Sequence, residues 1–321
     1  MVDLFSCWSN LSEPAESHQW TASKVSRRAR IARTIDGGAA LLFWIGEEIA
    51  PSLHRLRTSH IEYTRCRELS IRTDGVTEFG HYAVLQCSGL DAELVRHFLR
   101  VAATLPDEGT PADLEEAILQ LFELFRSLGH RATHTVQGIW AETFVAAFAT
   151  DPALLVAAWH SDPEDLHDFV GTGYQLEVKS SARNLREHEF SLEQLERSPQ
   201  TTIVVSILLD VDEIGPNVFD LLEVLTSRLP AGLARRAEVI VSKALGDAWR
   251  EADEVRYSVA TALSKLQIFA AEGIPRPPGP MPETVSNLKF RSDLSGLAPD
   301  VTLSGQLVTA LPKPGKAATA K

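Results

Sequence analysis

Cysteine is scarce in this chain: three residues in 321, Cys7, Cys66 and Cys87, odd in number and widely spaced. No C-x-x-C pair occurs. That excludes a zinc knuckle and a dithiol redox motif, and leaves reduced, mostly buried thiols. Long hydrophobic runs are missing too. Ala39–Ile45 and Leu154–Trp159 fall far short of the ~20 apolar residues of a membrane helix. The opening segment carries Asp3 and no basic cluster ahead of an apolar stretch, so it does not read as a secretory signal. A cytoplasmic protein without membrane association is expected. There is no basic excess: 31 Lys and Arg face 43 Asp and Glu, a formal net charge of −12. Proteins that coat nucleic acid show the opposite balance, because their affinity comes largely from neutralising phosphates. A local basic groove stays open. No G-x-x-x-x-G-K-[ST] occurs, so the chain carries no ATP motor of its own, and no G-x-S-x-G marks a serine hydrolase. Lysine is rare, with eight residues, so the placement of each one is informative.

What is present is ordinary for a folded chain: 44% apolar and 23% charged residues. The length allows one large or two modest domains. Residues 1–36 are polar, with a basic run of Lys24, Arg27, Arg28, Arg30 and Arg33. A solvated face is the plain reading and a phosphate contact the sharper one. Asp36-Gly37-Gly38 marks a turn before a buried strand over Ala39–Gly46. Glu68–Thr73 and His81–Cys87 alternate as strands do, with Asp74-Gly75 as a turn between them. Helical spacing covers Asp91–Leu105, Asp113–Leu128 and Thr135–Ala149. Two short strands, Leu166–Val170 and Tyr174–Ser180, flank Gly171-Thr172-Gly173, which lacks the third glycine of a dinucleotide loop and reads as a hairpin turn. Ser191-Leu192-Glu193-Gln194 opens a helix. Thr201–Leu209 is uncharged and β-branched, a central strand. Helices follow over Asn217–Arg228 and Gly232–Lys243, then a connector at Pro275–Pro282 and a strand within Val285–Leu294. The order predicts a mixed α/β layer, not a regular doubly wound sheet. The expected domains are an N-terminal α+β region over 1–110, a second domain over 111–300, and a small, basic, disordered tail over 301–321.

The strongest constellation is Asp168 followed by Glu177-Val178-Lys179. Residues two apart in a strand share a face. Glu177 and Lys179 therefore point one way, Leu176 and Val178 the other, and Asp168 lies across the turn. Chance supplies one acidic-x-Lys triplet in a chain with eight lysines and 43 acidic residues, so the context carries the weight. A lysine in an apolar strand needs a partner. Two carboxylates and an ammonium suit metal-assisted phosphodiester hydrolysis, with the carboxylates on a hard cation and the lysine near the attacking water. The competing reading is a structural salt bridge on a half-exposed strand. Glu142, mid-helix among apolar residues, is a fourth candidate, with a solvent-facing glutamate as its alternative. His130 and His134 stand four apart, but Arg131 occupies the position where a zinc protease carries glutamate, so they are not read as a zinc site. His188 reads as a surface or loop residue, and the six tryptophans as core and interface residues.

The segments Gln137-Gly138-Ile139-Trp140-Ala141-Glu142, His167-Asp168-Phe169, Leu176-Glu177-Val178-Lys179-Ser180-Ser181 and Ser191-Leu192-Glu193-Gln194-Leu195 together resemble the bacterial PD-(D/E)XK motif protein family, a branch of the restriction-endonuclease-like nucleases. The likeness is good over about Ala132–Leu209 and loose over the first hundred residues. Val285–Leu294, with Ser286 and Asp293, looks like the family's C-terminal strand. His167 replaces the nominal proline, and Ala141 replaces a glycine.

The resemblance implies a restriction-endonuclease-like α/β core, a mixed sheet flanked by helices. It implies Asp168 and Glu177 as metal ligands, Glu142 as the helical glutamate that completes the metal shell, and Lys179 as the catalytic lysine. Magnesium is the implied ion, with manganese as a substitute, and DNA is the implied substrate. Gln194, Arg183 and Arg186 are candidate substrate contacts, with Arg197 following them. The implied function is a metal-dependent DNA endonuclease within a restriction-modification or phage-defence system. Companion subunits would be a methyltransferase or an ATPase/helicase, and a homo-oligomer stays open. The alternative is a non-cleaving nuclease-fold subunit that binds partner proteins or DNA. Nothing in the sequence separates DNA from RNA.

Overall fold

Turn chemistry and alternation organise the first half of the chain. The computed structural model describes residues 3–14, 19–26, 29–45, 55–58, 60–103, 105, 111–127, 132, 134–160, 165–195, 200–279, 288–300 and 306–313. It divides into two units, Met1–His130 and Arg131–Lys321. The first contains α1 (Leu4–Ser9), β1 (Gln19–Lys24), β2 (Ala29–Arg33), β3 (Ala39–Trp44), β4 (Arg55–Arg57), β5 (Ile61–Thr73), β6 (Val76–Cys87), α2 (Ala92–Ala102) and α3 (Pro111–Ser127). Asp74 and Gly75 both adopt positive φ, 51° and 85°, as a tight turn matched to the strand twist requires. They join β5 to β6 where the sequence predicts a turn.

The sheet order is β1-β2-β3-β6-β5-β4, and β1 also pairs in parallel with β5. Register Trp20↔Ile71 makes that closure, so five strands form a ring. Trp20, Ala22, Leu42, Leu69, Ile71 and Val84 are among the residues that fill it. Asp91 caps α2 by accepting from the amides of Glu93 and Leu94. The basic run of the N-terminal segment is not simply a solvated face. Arg30 bonds the Tyr82 hydroxyl at 2.6 Å and pairs with Glu78 at 2.9 Å. Arg33 lies over the Trp8 ring. Arg27 and Arg28 fall outside the described residues.

The second unit contains α4 (Val136–Ala147), α5 (Pro152–Ala158), β7 (Phe169–Gly171), β8 (Tyr174–Ser181), β9 (Glu187–Ser191), α6 (Leu192–Leu195), β10 (Thr201–Leu208), α7 (Val218–Thr226), α8 (Ala231–Leu245), α9 (Trp249–Glu254), α10 (Val259–Ser264), β11 (Gln267–Ala270), β12 (Lys289–Asp293) and α11 (Gln306–Ala310). Its main sheet runs β11-β10-β8-β7. β8 and β10 are parallel at the centre, with antiparallel β11 and β7 on either side. β10 is buried from Thr202 to Ile207, as its uncharged sequence requires. Thr135 caps α4. That helix packs on β8 along one side and on α5, α7 and α8 elsewhere, which explains why it is apolar nearly all round. β9 and β12 form a separate two-stranded ribbon.

The architecture is thus a mixed α/β arrangement with several sheets. Residues expected in a disordered tail are partly ordered. α11 buries Leu307 and Ala310, and Thr150 bonds the carbonyls of Thr309 and Ala310 at 2.7 Å each. Ser286 lies outside the described residues, as do residues 314–321. Five tryptophans are buried, and Trp44 is exposed. Among the described residues, no helix is long and apolar enough to cross a membrane.

Candidate functional site

The β7–β8 hairpin builds the site. Its register is Phe169↔Leu176, Val170↔Gln175 and Gly171↔Tyr174, around a turn in which Gly173 has a φ of 79°. One further step of the same register sets Asp168 opposite Glu177. The Val178 amide donates to the Asp168 carboxylate at 2.6 Å and fixes that step. Leu176 and Val178 point into the core, so alternation brings Glu177 and Lys179 to the opposite face with Asp168.

Glu177 is only 3% exposed. Its Oε1 accepts from Lys179 Nζ at 2.6 Å and from Gln194 Nε2 at 2.7 Å. Its Oε2 is buried and has no partner. Gln194 is itself held in a reciprocal cap: its Oε1 accepts from the Ser191 amide, and Ser191 Oγ accepts from the Gln194 amide. Its Nε2 also reaches the Leu166 carbonyl. The Lys179 ammonium lies 5.4 Å from the centre of the Phe190 ring, a cation–π distance.

α4 supplies the other side. The Glu142 side chain is buried rather than solvent-facing, and its Oε2 accepts from the Trp159 indole at 3.0 Å. Gln137 donates to the carbonyl and hydroxyl of Ser180 at 3.1 Å, pinning α4 to the end of β8. His134 stands just before the Thr135 cap, with its amide bonded to the Ala244 carbonyl. One ring nitrogen of His134 and one carboxylate oxygen each of Glu142 and Asp168 lie within 4.8 Å of one another.

The electrostatics follow from crowding. Burial, then repulsion from Glu177, pushes the Glu142 carboxyl up to about 7, against the Trp159 hydrogen bond. Burial, with the charges of Glu177 and Glu142, holds Asp168 well above the usual carboxylate range. Burial pulls Lys179 down, but Glu177, Asp168 and Glu142 outweigh it, and the net shift is upward. Burial lowers His134, although Glu177 opposes it. Three carboxylates share one ammonium, and the surplus negative charge invites either protons or a cation.

Two sequence readings need correction. Arg186 is not an exposed substrate contact. It is 6% exposed, and its guanidinium donates to the carbonyl and hydroxyl of Ser206 at 2.9 and 2.8 Å and to the Lys265 carbonyl. His188 is not a surface residue; it is buried, with Nε2 2.7 Å from Ser206 Oγ. Because Arg186 also donates to that hydroxyl, the hydroxyl proton is left for His188. Burial first, then Lys179 and Arg186, pushes His188 down to about 4. Exposed neighbours on both sides hid these two residues, and their partner lies on another strand. Arg183 is exposed. Arg197 and His130 lie outside the described residues.

The model of the family described as "Putative PD-(D/E)XK family member, (DUF4420)" matches residues 5–295. The chain belongs to this family. No curated protein and no solved structure matches it. The PD-(D/E)XK family is nuclease-like and associated with divalent metals. The residues here fit such an ion. Oxygen atoms of Glu142 and Asp168 converge with an imidazole nitrogen of His134, and a buried carboxylate oxygen of Glu177 stands without a donor. A buried carboxylate oxygen left without a donor is costly, and a cation would match it. Sequence reasoning missed His134 as a member of this group, since no fixed spacing links a residue ahead of a helix cap to a glutamate two turns inside. It also missed Trp159 as the donor that orients Glu142.

Proposed function

We propose that this protein is a metal-dependent DNA endonuclease with a restriction-endonuclease-like core, working within a restriction-modification or phage-defence system. One observation carries the reading: Glu142, Asp168, Glu177 and Lys179 cluster where α4 packs on the β7–β8 hairpin, with a buried oxygen of Glu177 left open. Family membership supports it. Asp168, Glu142 and the open Glu177 oxygen are the residues that would hold a divalent ion. When bound, such an ion supplies Lewis-acid stabilisation of the phosphate.

The remaining work falls to the chain. Glu177 divides its two oxygens between tasks: Oε1 orients Lys179, and Oε2 stays available. The Lys179 ammonium, anchored at 2.6 Å, positions the attacking water and offsets the negative charge that develops on the phosphate. Phe190 shields its other side. Gln194 holds Glu177 in place from α6. Arg183, exposed just beyond β8, is placed to meet a backbone phosphate.

The test is nicking of plasmid DNA in magnesium, manganese or EDTA by the wild type and Lys179→Ala. Cutting should require metal and fall by roughly 10²–10³ or more in the variant. Equal cutting by both would remove Lys179 from the mechanism. No cutting by the wild type in either metal would favour a non-cleaving nuclease-fold subunit.

A further inference from the structure

We propose that His134 is a direct ligand of the metal centre, and that its imidazole makes the site select manganese-class cations over magnesium. The inference rests on the metal-dependent reading above and specifies which ion that site takes. Three separate elements deliver the ligand atoms: the residue before α4 gives the imidazole, the middle of α4 gives Glu142, and the hairpin gives Asp168. All three atoms lie within 4.8 Å of one another, close enough for one ion to touch them all. An independent observation points to the same place. The open Glu177 Oε2 is buried, and Glu177 acts electrostatically on His134, Glu142 and Asp168 alike.

The support behind His134 is rigid. Its amide is tied to the Ala244 carbonyl at the end of α8, and the next residue caps α4 through the Gly138 amide at 3.1 Å. A backbone anchored on both sides narrows the positions the ring can reach and lowers the ordering entropy lost on binding.

The chemistry then decides the ion. Magnesium demands oxygen donors and gives up its waters reluctantly. Imidazole nitrogen suits the first-row transition ions, whose affinities rise along the series from manganese. A donor set with one nitrogen among carboxylates therefore disfavours magnesium relative to a purely acidic set. Replacing the imidazole by a carboxylate should shift the preference back.

The experiment measures binding, not cutting. Manganese is titrated into the full chain and followed by loss of the free-ion EPR signal, with magnesium added as competitor. The wild type should hold manganese at least ~10-fold more tightly than magnesium. His134→Ala should weaken manganese by ~10-fold or more and magnesium by less than ~3-fold, collapsing the selectivity. His134→Asp should restore binding with the preference shifted toward magnesium. Asp168→Asn should weaken both ions, which locates the site. If Asp168→Asn weakens both ions but His134→Ala leaves the selectivity intact, the ligand assignment is wrong and the metal site stands. If the wild type binds neither ion, both fall. Thermal melting of His134→Ala in EDTA close to the wild type would show that the variant is folded.

Discussion

Replacing Glu142 with glutamine should make the metal-free protein more stable while weakening its hold on a metal. The carboxyl is buried, and burial with repulsion from Glu177 raises it from 4.5 to about 7. In the unfolded chain it ionises near its ordinary value. Between those limits the folded protein keeps a proton that the unfolded chain has released. Stability therefore falls as pH rises through this window, and the loss is complete above pH 7. The interval corresponds to about 3 kcal/mol. Glutamine keeps an oxygen for the Trp159 indole and carries no charge. Melting curves in EDTA at pH 4.5, 6, 7 and 8 would read the effect. Glu142→Gln should match the wild type at pH 4.5 and exceed it by up to about 3 kcal/mol at pH 8, or roughly 6 °C or more in Tm. Added metal should narrow or reverse the difference, because the wild type gains more binding energy. Parallel pH profiles for the two proteins in EDTA would refute the reasoning, since Glu142 would then ionise at no cost.

Arg186→Ala should cost ~2–4 kcal/mol in urea unfolding, because it strips bonds from the buried Ser206 and Lys265 carbonyls. Arg183→Ala should leave stability within ~0.5 kcal/mol and lower the salt slope of DNA binding by ~1. A large stability loss for Arg183→Ala would place that residue in the packing. Gln194→Ala removes one of two donors to Glu177 and half of the α6 cap. It should cost ~1 kcal/mol and lower kcat for DNA cleavage with KM little changed; a KM effect alone would make Gln194 a substrate contact.

Local signals were legible where one residue type has one physical use. Asp74-Gly75 gives a turn, Asp91, Thr135 and Asn217 give helix caps, and the run TTIVVSILL gives a central strand. Period-two alternation alone puts Glu177 and Lys179 on one face. What escaped depends on partners distant in sequence. β1 and β2 carry few large apolar residues, and their place comes from the pairing of Gln19–Thr21 with Ser70–Arg72. In β9 the exposed Glu187 and Glu189 alternate with the buried His188 and Phe190, a strand short enough to be taken for polar loop. α11 lacks any strong pattern of its own and is ordered by its contacts to α5 and Thr150. His134 gives no local sign of its neighbours.

The Thr172-Gly173 turn works as a ruler. Its two-residue length and three paired positions set the interval between Asp168 and Glu177, so the gap between two carboxylates is stored in a loop that touches neither. One residue inserted there would rotate Asp168 to the wrong side of the sheet. Two would add one residue to each arm and leave Asp168 opposite Glu177. The chain with one inserted residue would keep every acidic residue and its lysine, and still have lost the spacing that makes them a site.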